Sequence, residues 1–372
     1  MKRIRFDLER MLELDSELPI LLSLRGDLAD PADTLLKLRA MQAFDRSAMR
    51  YAIQRTVRCA STRPLEELFD DLALNTGFAA HRLSGTSLLL DGPGVFISAE
   101  GRRKIGYGSC TFEIWAQTPE ALANARACLL NRVGEQLVRR ETFTIDWHFS
   151  RGPMGLSSAT FDEMADPPPL NEAYPTLGEP VSDFIDRYLD SNETVLILQG
   201  PPGTGKTRFV RAILAAISAR KDDSANILYT ADKRAFENDE IFVDFITGSH
   251  DAFVIEDADH LLMARSNGNV DLHRFLAIAD GVVRAQGRKI IFTTNLPNVG
   301  DIDEALVRPG RCFATLRTRA LDRREAAALL ARINAAAALP AEMRSITLAA
   351  LYRMVADTAV DNRVGARSGT GA

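Results

Sequence analysis

Residues 200–207 have the types and spacing of a loop that holds phosphate groups. The segment reads GPPGTGKT, which fits the pattern of a glycine, four residues, Gly-Lys and then Ser or Thr. Its glycines let the backbone curl around a polyphosphate, so that amide N–H groups point at anionic oxygens. Lys206 can reach the terminal phosphates, and the Thr207 hydroxyl can ligate Mg²⁺. The residues predicted to bind the nucleotide are Gly200, Pro201, Pro202, Gly203, Thr204, Gly205, Lys206 and Thr207.

The segments on either side of this loop are those that a phosphate-binding loop requires. Residues 194–199 (TVLILQ) form a short apolar run typical of a buried strand, and residues 207–220 have apolar side chains at helical spacing. A helix that begins here directs the positive end of its dipole at the phosphates. The pattern therefore predicts a nucleotide site rather than an ordinary glycine-rich turn.

Residues 252–259 (AFVIEDAD) form a second motif, an apolar strand that ends in adjacent acids. A buried strand would place its terminal carboxylates beside the phosphate loop, where one holds Mg²⁺ and the next polarises the attacking water. By position, Glu256 takes the metal side together with Thr207, and Asp257 takes the water side. Because aspartate is one methylene shorter than glutamate, the water must lie closer or be bridged, which affects the rate more than the chemistry.

Two further segments carry groups suited to phosphoryl transfer. Residues 289–295 (KIIFTTN) read as a buried strand that ends at Asn295, whose amide can hydrogen-bond the γ-phosphate or the attacking water. Residues 305–311 (ALVRPGR) contain Arg308 and Arg311, whose guanidinium groups can neutralise developing charge. Taken alone, the asparagine would be a turn former and the arginines a surface pair.

Together the four motifs resemble the AAA+ family of ATPases over residues 180–357. The RPGR string is similar to the AAA proteins in the narrow sense, and the Glu-Asp order resembles the branch that contains the mitochondrial Rieske-protein translocase. The resemblance implies an α/β fold with a five-stranded parallel sheet and a small helical lid. It also implies ATP and Mg²⁺ as cofactors, and a homo-oligomeric ring, usually a hexamer. Asn295 would be the first sensor, and Arg308 and Arg311 would act as fingers on the neighbouring subunit's nucleotide.

The sequence also departs from the family pattern. The membrane anchor of that branch is absent, so we do not expect membrane translocation. Pore-threading members carry an aromatic-apolar-glycine string after the second strand, but residues 231–238 offer only Phe236, which we expect to pack at a helix start. No second-sensor arginine is clear, since Arg367 lies in a GAR string close to the C-terminus, where we expect a frayed tail.

Composition limits the classes of partner. The chain has 372 residues, a net charge of −5 and four cysteines that are far apart in sequence and lack metal-ligand spacing. An acidic balance does not favour nucleic acid as a partner, and free thiols indicate a reducing compartment. No apolar run reaches the length of a membrane span, and the start of the chain lacks a signal-peptide core. We therefore predict a cytoplasmic protein without a membrane or nucleic-acid partner.

The segmentation of the chain predicts two domains and a linker. Residues 1–150 read as an α+β N-terminal recognition or assembly domain, with helices over residues 34–57 and 119–139 and a closing strand over residues 141–150. Residues 151–180 are rich in proline and read as a linker. The large ATPase subdomain would span residues 181–320, the lid residues 321–357 and a tail residues 358–372.

Three functions are compatible with this arrangement. The first is an ATP-driven ring that remodels a protein recognised by the N-terminal domain. The second is an assembly or scaffold whose state is set by the bound nucleotide, which the weak pore segment and Asp257 favour. A loader that acts on DNA is the least favoured, because of the acidic balance.

Overall fold

The computed structural model describes residues 53–104, 106–138, 142–152, 155–221, 224–237, 239–263, 287–333 and 337–368. The chain divides into two compact units, Met1–Arg140 and Glu141–Ala372. Most of the helix expected over residues 34–57 lies outside the described residues. Its last part is wrong, because Ile53–Ser61 is a strand.

In the described part of the N-terminal unit, an antiparallel sheet of five strands, in the order β1-β5-β4-β3-β2, is accompanied by two helices. The strands are β1 (Ile53–Ser61), β2 (Ala79–Ser84), β3 (Ser87–Gly92), β4 (Val95–Lys104) and β5 (Tyr107–Ala116). The helices are α1 (Leu65–Asn75) and α2 (Pro119–Val133). The predicted α+β character of this region is therefore confirmed.

The two helices cover the sheet through apolar faces that the sequence spacing creates. Helix α1 buries Leu65, Leu68, Phe69 and Leu72, which recur at intervals of three and four residues. Helix α2 begins where the Thr118 hydroxyl accepts a hydrogen bond from the backbone of its first turn. These faces and the buried side chains of the sheet form one apolar core.

Two of the cysteines meet within this core although they are far apart in sequence. Cys59 on β1 lies directly opposite Cys110 on β5, and both are buried and free. The hydrogen bond with the neighbouring Cys59 thiol, and then burial, raise the pKa of Cys110 well above its usual range. Sequence spacing could not show this, because antiparallel pairing brings distant residues together.

The second unit is built on a sheet of seven strands in the order β12-β8-β11-β10-β9-β6-β7. The strands are β6 (Thr142–Ser150), β7 (Leu156–Met164), β8 (Val195–Gln199), β9 (Ala225–Thr230), β10 (Ala252–Ile255), β11 (Lys289–Thr294) and β12 (Cys312–Arg317). The five parallel strands that were predicted are present as β12, β8, β11, β10 and β9. Strand β6 continues them in parallel, and β7 pairs antiparallel with β6.

Helices and apolar clusters lie against both faces of this sheet. The helices are α3 (Val181–Asp190), α4 (Lys206–Ala219), α5 (Glu240–Thr247), α6 (Asp259–Leu262), α7 (Arg323–Arg332) and α8 (Leu348–Ser368). Every residue of β8, β10 and β11 is buried, as expected of central parallel strands covered on both sides. One cluster centres on Phe209 of α4, and the other on Phe236 and Phe253.

The predicted domain boundaries need three corrections. Strand β6 belongs to the ATPase sheet and not to the N-terminal domain, and the predicted linker contains β7. An alternating pattern identifies a strand but does not show which sheet it joins, and this explains the error. Helix α8 runs to Ser368, so much of the predicted tail is helical. The small ladder of β13 (Leu321–Asp322) and β14 (Ser345–Ile346) accompanies α7 and α8 in the region predicted as the lid.

The revised boundary predicts how fragments of the chain behave. Fragment 141–372 should unfold cooperatively and bind ATP, whereas fragment 151–372 should be aggregated or marginally stable. Removing β6 exposes the edge of β9 and deletes Phe143, a fully buried side chain whose loss alone costs about 3–5 kcal/mol. Thermal unfolding followed by circular dichroism checks this, and equal midpoints for the two fragments would contradict the boundary.

Candidate active site

The phosphate loop connects β8 to α4, and its glycines occupy positions that other residues would not tolerate. Gly203 and Gly205 have positive φ angles of 78° and 94°. A side chain at Gly200 would overlap the carbonyl of Thr318, which follows β12. The Thr318 hydroxyl also lies 2.7 Å from that of Thr204, so the loop is fixed against the end of β12.

Lys206 begins α4 and points into the loop. Its Nζ donates to the carbonyl oxygens of Gly200 at 2.7 Å and Pro201 at 3.1 Å, and to Oδ1 of Asn295 at 2.9 Å. The residue is 8% exposed, and burial lowers the pKa of its ammonium group although Asp257 and other nearby carboxylates oppose that shift. These oxygens are the partners that phosphate oxygens would replace, so the positive charge is already placed for a triphosphate.

Glu256 follows β10 and connects the phosphate loop with the neighbouring strand. Its Oε1 accepts a hydrogen bond from the Thr207 hydroxyl at 2.7 Å, and its Oε2 accepts one from the Tyr229 hydroxyl at 2.8 Å. Burial and the Glu256 carboxylate raise the pKa of Tyr229 well above its usual range. Thr207 and Glu256 therefore present two adjacent oxygen atoms, and oxygen is the ligand type that Mg²⁺ prefers.

Asp257 and Asn295 form the other side of the site. Asn295 Nδ2 donates to Asp257 Oδ1 at 2.9 Å. Asp257 has a φ of 51°, and it is the one residue other than glycine with a positive φ in the described part of the chain. The backbone N–H of Asp257 donates to the Thr293 hydroxyl at 3.1 Å, which holds this left-handed conformation against β11.

Asp259, the last acid of the second motif, has a positioning role that the sequence did not reveal. Its Oδ1 accepts hydrogen bonds from the Thr294 hydroxyl at 2.5 Å and from the backbone of Asn295 at 2.9 Å. It thereby fixes the turn after β11 from which Asn295 reaches Lys206 and Asp257. The second sequence motif, residues 252–259, included Asp259 but did not indicate its hydrogen-bond partners.

These groups line one cavity of about 460 Å³. Its walls are formed by the phosphate loop, the first turn of α4, the ends of β10 and β11, the first turns of α8, and Ala173 ahead of α3. The lining residues are Ala173, Pro202, Gly203, Gly205, Lys206, Thr207, Arg208, Glu256, Asp257, Thr293, Asn295, Leu348, Ala349 and Tyr352. The Arg208 guanidinium lies 5.1 Å from the centre of the Tyr352 ring. A polar end next to Lys206 and an apolar end at α8 suit a nucleoside polyphosphate. Arg208 and Tyr352, which line this cavity, are among the side chains that the sequence analysis did not identify.

The two arginines predicted as fingers do not join the other groups within one chain. Arg308 is exposed, and Nη1 of Arg311 donates to the Ala305 carbonyl at 2.7 Å. Neither is among the described residues that line the cavity. Arg367 lies on α8, but its side chain is outside the described residues.

A parallel sheet with a phosphate loop after β8 and carboxylates after β10 defines a P-loop nucleoside triphosphatase. Residues 196–319 match the family model described as "ATPase family associated with various cellular activities (AAA)". The chain therefore carries an ATPase domain of the AAA family, as the four motifs predicted.

Curated relatives agree with this assignment. The chain is 34% identical over 131 residues to the ATPase family gene 2 protein of Schizosaccharomyces pombe, a match that covers 31% of the chain and 15% of that protein. It is 32% identical over 122 residues to the probable mitochondrial chaperone bcs1 of the same yeast, covering 31% and 26%. It is 26% identical over 206 residues to the vesicle-fusing ATPase of Caenorhabditis elegans, covering 49% and 24%. The matches thus span about a quarter or less of these relatives' own lengths. The bcs1 match is consistent with the branch that the Glu-Asp order indicates.

None of the helices in the described part of the chain combines the length and apolar character that a transmembrane segment needs.

The Tyr229 hydroxyl provides a test of the proposed metal side of the site. Tyr229→Phe removes the hydrogen bond to Glu256 Oε2 and leaves the ring in place. A bond to a charged group contributes about 1.5–3 kcal/mol, so the Mg²⁺ concentration for half-maximal ATP turnover should rise roughly tenfold or more. Steady-state turnover against Mg²⁺ measures this.

The matched control is Tyr188→Phe, which removes a buried hydroxyl that donates to the Thr194 carbonyl away from Glu256. It should lower the unfolding temperature without moving the Mg²⁺ midpoint. If both variants shift the midpoint equally, Tyr229 has no specific role at Glu256.

Proposed function

We propose that this protein is an ATP-hydrolysing AAA ring that remodels a protein substrate recognised by the N-terminal unit. The observation that supports hydrolysis is the convergence of Lys206, Thr207, Glu256, Asp257 and Asn295 on one cavity. No single motif would be sufficient evidence for ATP hydrolysis, because each motif has a structural explanation when it stands alone.

Each residue has a defined task in this proposal. Lys206 neutralises the β- and γ-phosphates, and Thr207 and Glu256 hold Mg²⁺, which supplies further charge neutralisation when it is bound. Asp257 orients the attacking water, and Asn295 positions both the water and the γ-phosphate. The Asn295 side chain contacts both Lys206 and Asp257. It can therefore couple the binding of phosphates at Lys206 to the position of Asp257, the acid that orients the water.

Self-association follows from the position of the arginines. Phosphoryl transfer benefits from a guanidinium at the γ-phosphate, yet Arg308 and Arg311 lie outside their own cavity. A head-to-tail ring would bring Arg308 of one subunit to the nucleotide of the next. A hexamer is the ring size that we propose, since the family resemblance implies it.

The remodelling of a protein is supported by relatives and by the extra unit. One relative is named a vesicle-fusing ATPase and another a probable mitochondrial chaperone. The N-terminal unit has its own core, so it is a module separate from the ATPase core. We propose that it recognises the protein substrate.

One observation favours a second candidate, an assembly controlled by the bound nucleotide. Phe236, the aromatic residue of the segment where a pore loop would lie, is 1% exposed and packs against Phe242 and Phe253. It is therefore part of the core, as expected from the sequence, and cannot grip a threaded chain. A ring that changes its assembly state without threading would accommodate this packing.

Asp257→Asn tests hydrolysis and substrate capture together. The variant keeps the size of the side chain and should bind ATP with unchanged affinity, while turnover falls by about 100-fold or more because the water is no longer polarised. Substrates held by the stalled protein should be enriched over those captured by Lys206→Ala, which should not bind ATP. Normal turnover by Asp257→Asn would exclude the assigned role, and equal recovery by both variants would favour the nucleotide-controlled assembly.

Mixing two inactive variants tests whether Arg308 acts across subunits. Arg308→Ala keeps a complete cavity, and Asp257→Asn keeps the arginine. In a mixed ring, an intact cavity can meet an intact arginine from the neighbour, so an equal mixture should recover up to about a quarter of the wild-type turnover if subunits exchange at random. Steady-state ATPase assays on the mixture measure this.

Arg344→Ala, at another exposed arginine, is the control and should remain active by itself. A mixture no more active than the sum of its two components, with exchange verified by native mass spectrometry, would contradict action across subunits.

A further inference from the structure

Two histidines and two aspartates meet on the side of the ATPase sheet that faces α5. Asp146 and His148 lie two residues apart on β6, so they project from the same face of the strand. Asp244 lies on α5, and His250 lies between α5 and β10. None of the four lines the nucleotide cavity.

The donor atoms of this cluster have the separations of metal ligands. His148 Nε2 lies 3.2 Å from Asp244 Oδ2 and 3.4 Å from Asp146 Oδ2, and His250 Nε2 lies 3.5 Å from Asp146 Oδ2. Donors of Asp146, Asp244 and His250 all lie within 4.8 Å of one another. Four donors about 2.0–2.1 Å from a tetrahedral Zn²⁺ are about 3.3–3.4 Å apart, which matches the three measured distances.

Ordinary hydrogen bonding does not account for the position of His148, although His250 Nε2 is within hydrogen-bond distance of Asp146 Oδ2 at 3.5 Å. His148 is 8% exposed, and both of its ring nitrogens are buried without a hydrogen-bond partner of normal geometry. The close approach of its Nε2 to two carboxylate oxygens therefore occurs at angles that do not suit a hydrogen bond. A buried imidazole without a hydrogen bond is costly, and a cation between the imidazole and the two carboxylates would remove that cost.

The surrounding residues hold the donors in place, as the outer partners of metal ligands do. The Thr160 hydroxyl donates to Asp146 Oδ1 at 3.1 Å, which leaves Oδ2 facing the histidines. The Thr230 hydroxyl donates to the His148 carbonyl at 2.9 Å.

The turn that carries His250 is also built for close approach. A side chain at Gly248 would lie 2.6 Å from the Asp244 carbonyl and 2.9 Å from His250 Nδ1. Arg288 donates to the Gly248 carbonyl at 2.7 Å and to carbonyls at the end of α5. The turn therefore places His250 close to α5, the helix that carries Asp244.

We propose that His148, His250, Asp146 and Asp244 bind a structural Zn²⁺ ion that ties β6 to α5. Imidazole and carboxylate donors in a four-coordinate arrangement suit zinc better than Mg²⁺ or Ca²⁺, which take six or more oxygens. The side chains of Asp146 and Asp244 are 26% and 38% exposed, which gives the ion a path of entry.

Zinc binding is tested on the full-length protein after treatment with a chelator, without nucleotide. We expect one Zn²⁺ per chain in competition with a chromophoric chelator, and the visible absorption of tetrahedral Co²⁺ when cobalt replaces zinc. The unfolding temperature should rise on addition of Zn²⁺, because the ion binds the folded state.

Two single variants at different ligands distinguish a site from general adsorption. His250→Gln and Asp244→Asn should each weaken Zn²⁺ binding by more than about 100-fold, because even outer partners of metal ligands contribute about 10- to 100-fold. Asp244 is partly exposed, so its variant tests the site even if the more buried His250 variant is unstable. His81→Gln, at an exposed histidine of the N-terminal unit, and Glu256→Gln, in the nucleotide cavity, should retain the zinc.

The proposal is overturned if the wild-type protein shows no saturable Zn²⁺ binding, or if the control variants lose it as the cluster variants do. Stability that depends on pH but not on Zn²⁺ would likewise overturn it, and would make the cluster a set of ion pairs. Mg²⁺-dependent ATP turnover is measured separately, so failure here leaves the proposed ATPase function untouched.

Discussion

The burial of one ammonium group organises the catalytic half of this protein. Lys206 is held by two carbonyls of its own loop and by Asn295 at the end of β11, so a single charge ties the phosphate loop to the centre of the sheet. Burial opposes that charge, and nearby carboxylates compensate for it. Because a phosphate can replace the carbonyl partners, the interaction that keeps the loop in shape is also the one that prepares it for nucleotide.

The order of the two acids after β10 follows from the backbone. Asp257 adopts a left-handed φ of 51°, a region that aspartate tolerates better than residues with longer side chains. Glutamate there would add strain, whereas Glu256 has the longer side chain needed to reach both Thr207 and Tyr229. The Glu-Asp order thus places the long acid where we propose that Mg²⁺ binds, and the short acid at the strained turn.

The sequence predicted those parts of the molecule that depend on local pattern. Residues 200–207, the buried strands and the acids needed no knowledge of distant partners, and the structure brings them to one cavity. The sequence could not show that β6 joins the ATPase sheet, because alternating apolar and polar residues occur in strands of both sheets. It also missed Tyr229 and Asp259, since an ordinary tyrosine or aspartate acquires its role only from a contact across strands.

The strand that sequence reasoning misplaced has further consequences for the ATPase unit. Because β6 pairs with β9, Trp147 packs edge-on to Tyr229, whose hydroxyl reaches Glu256. From the opposite face of β6, Asp146 and His148 meet Asp244 and His250. Strand β6 therefore supports Glu256, through Tyr229, on one face of the sheet and the histidine cluster on the other. A change that shifts β6 along β9 would disturb both, since each face depends on the same register.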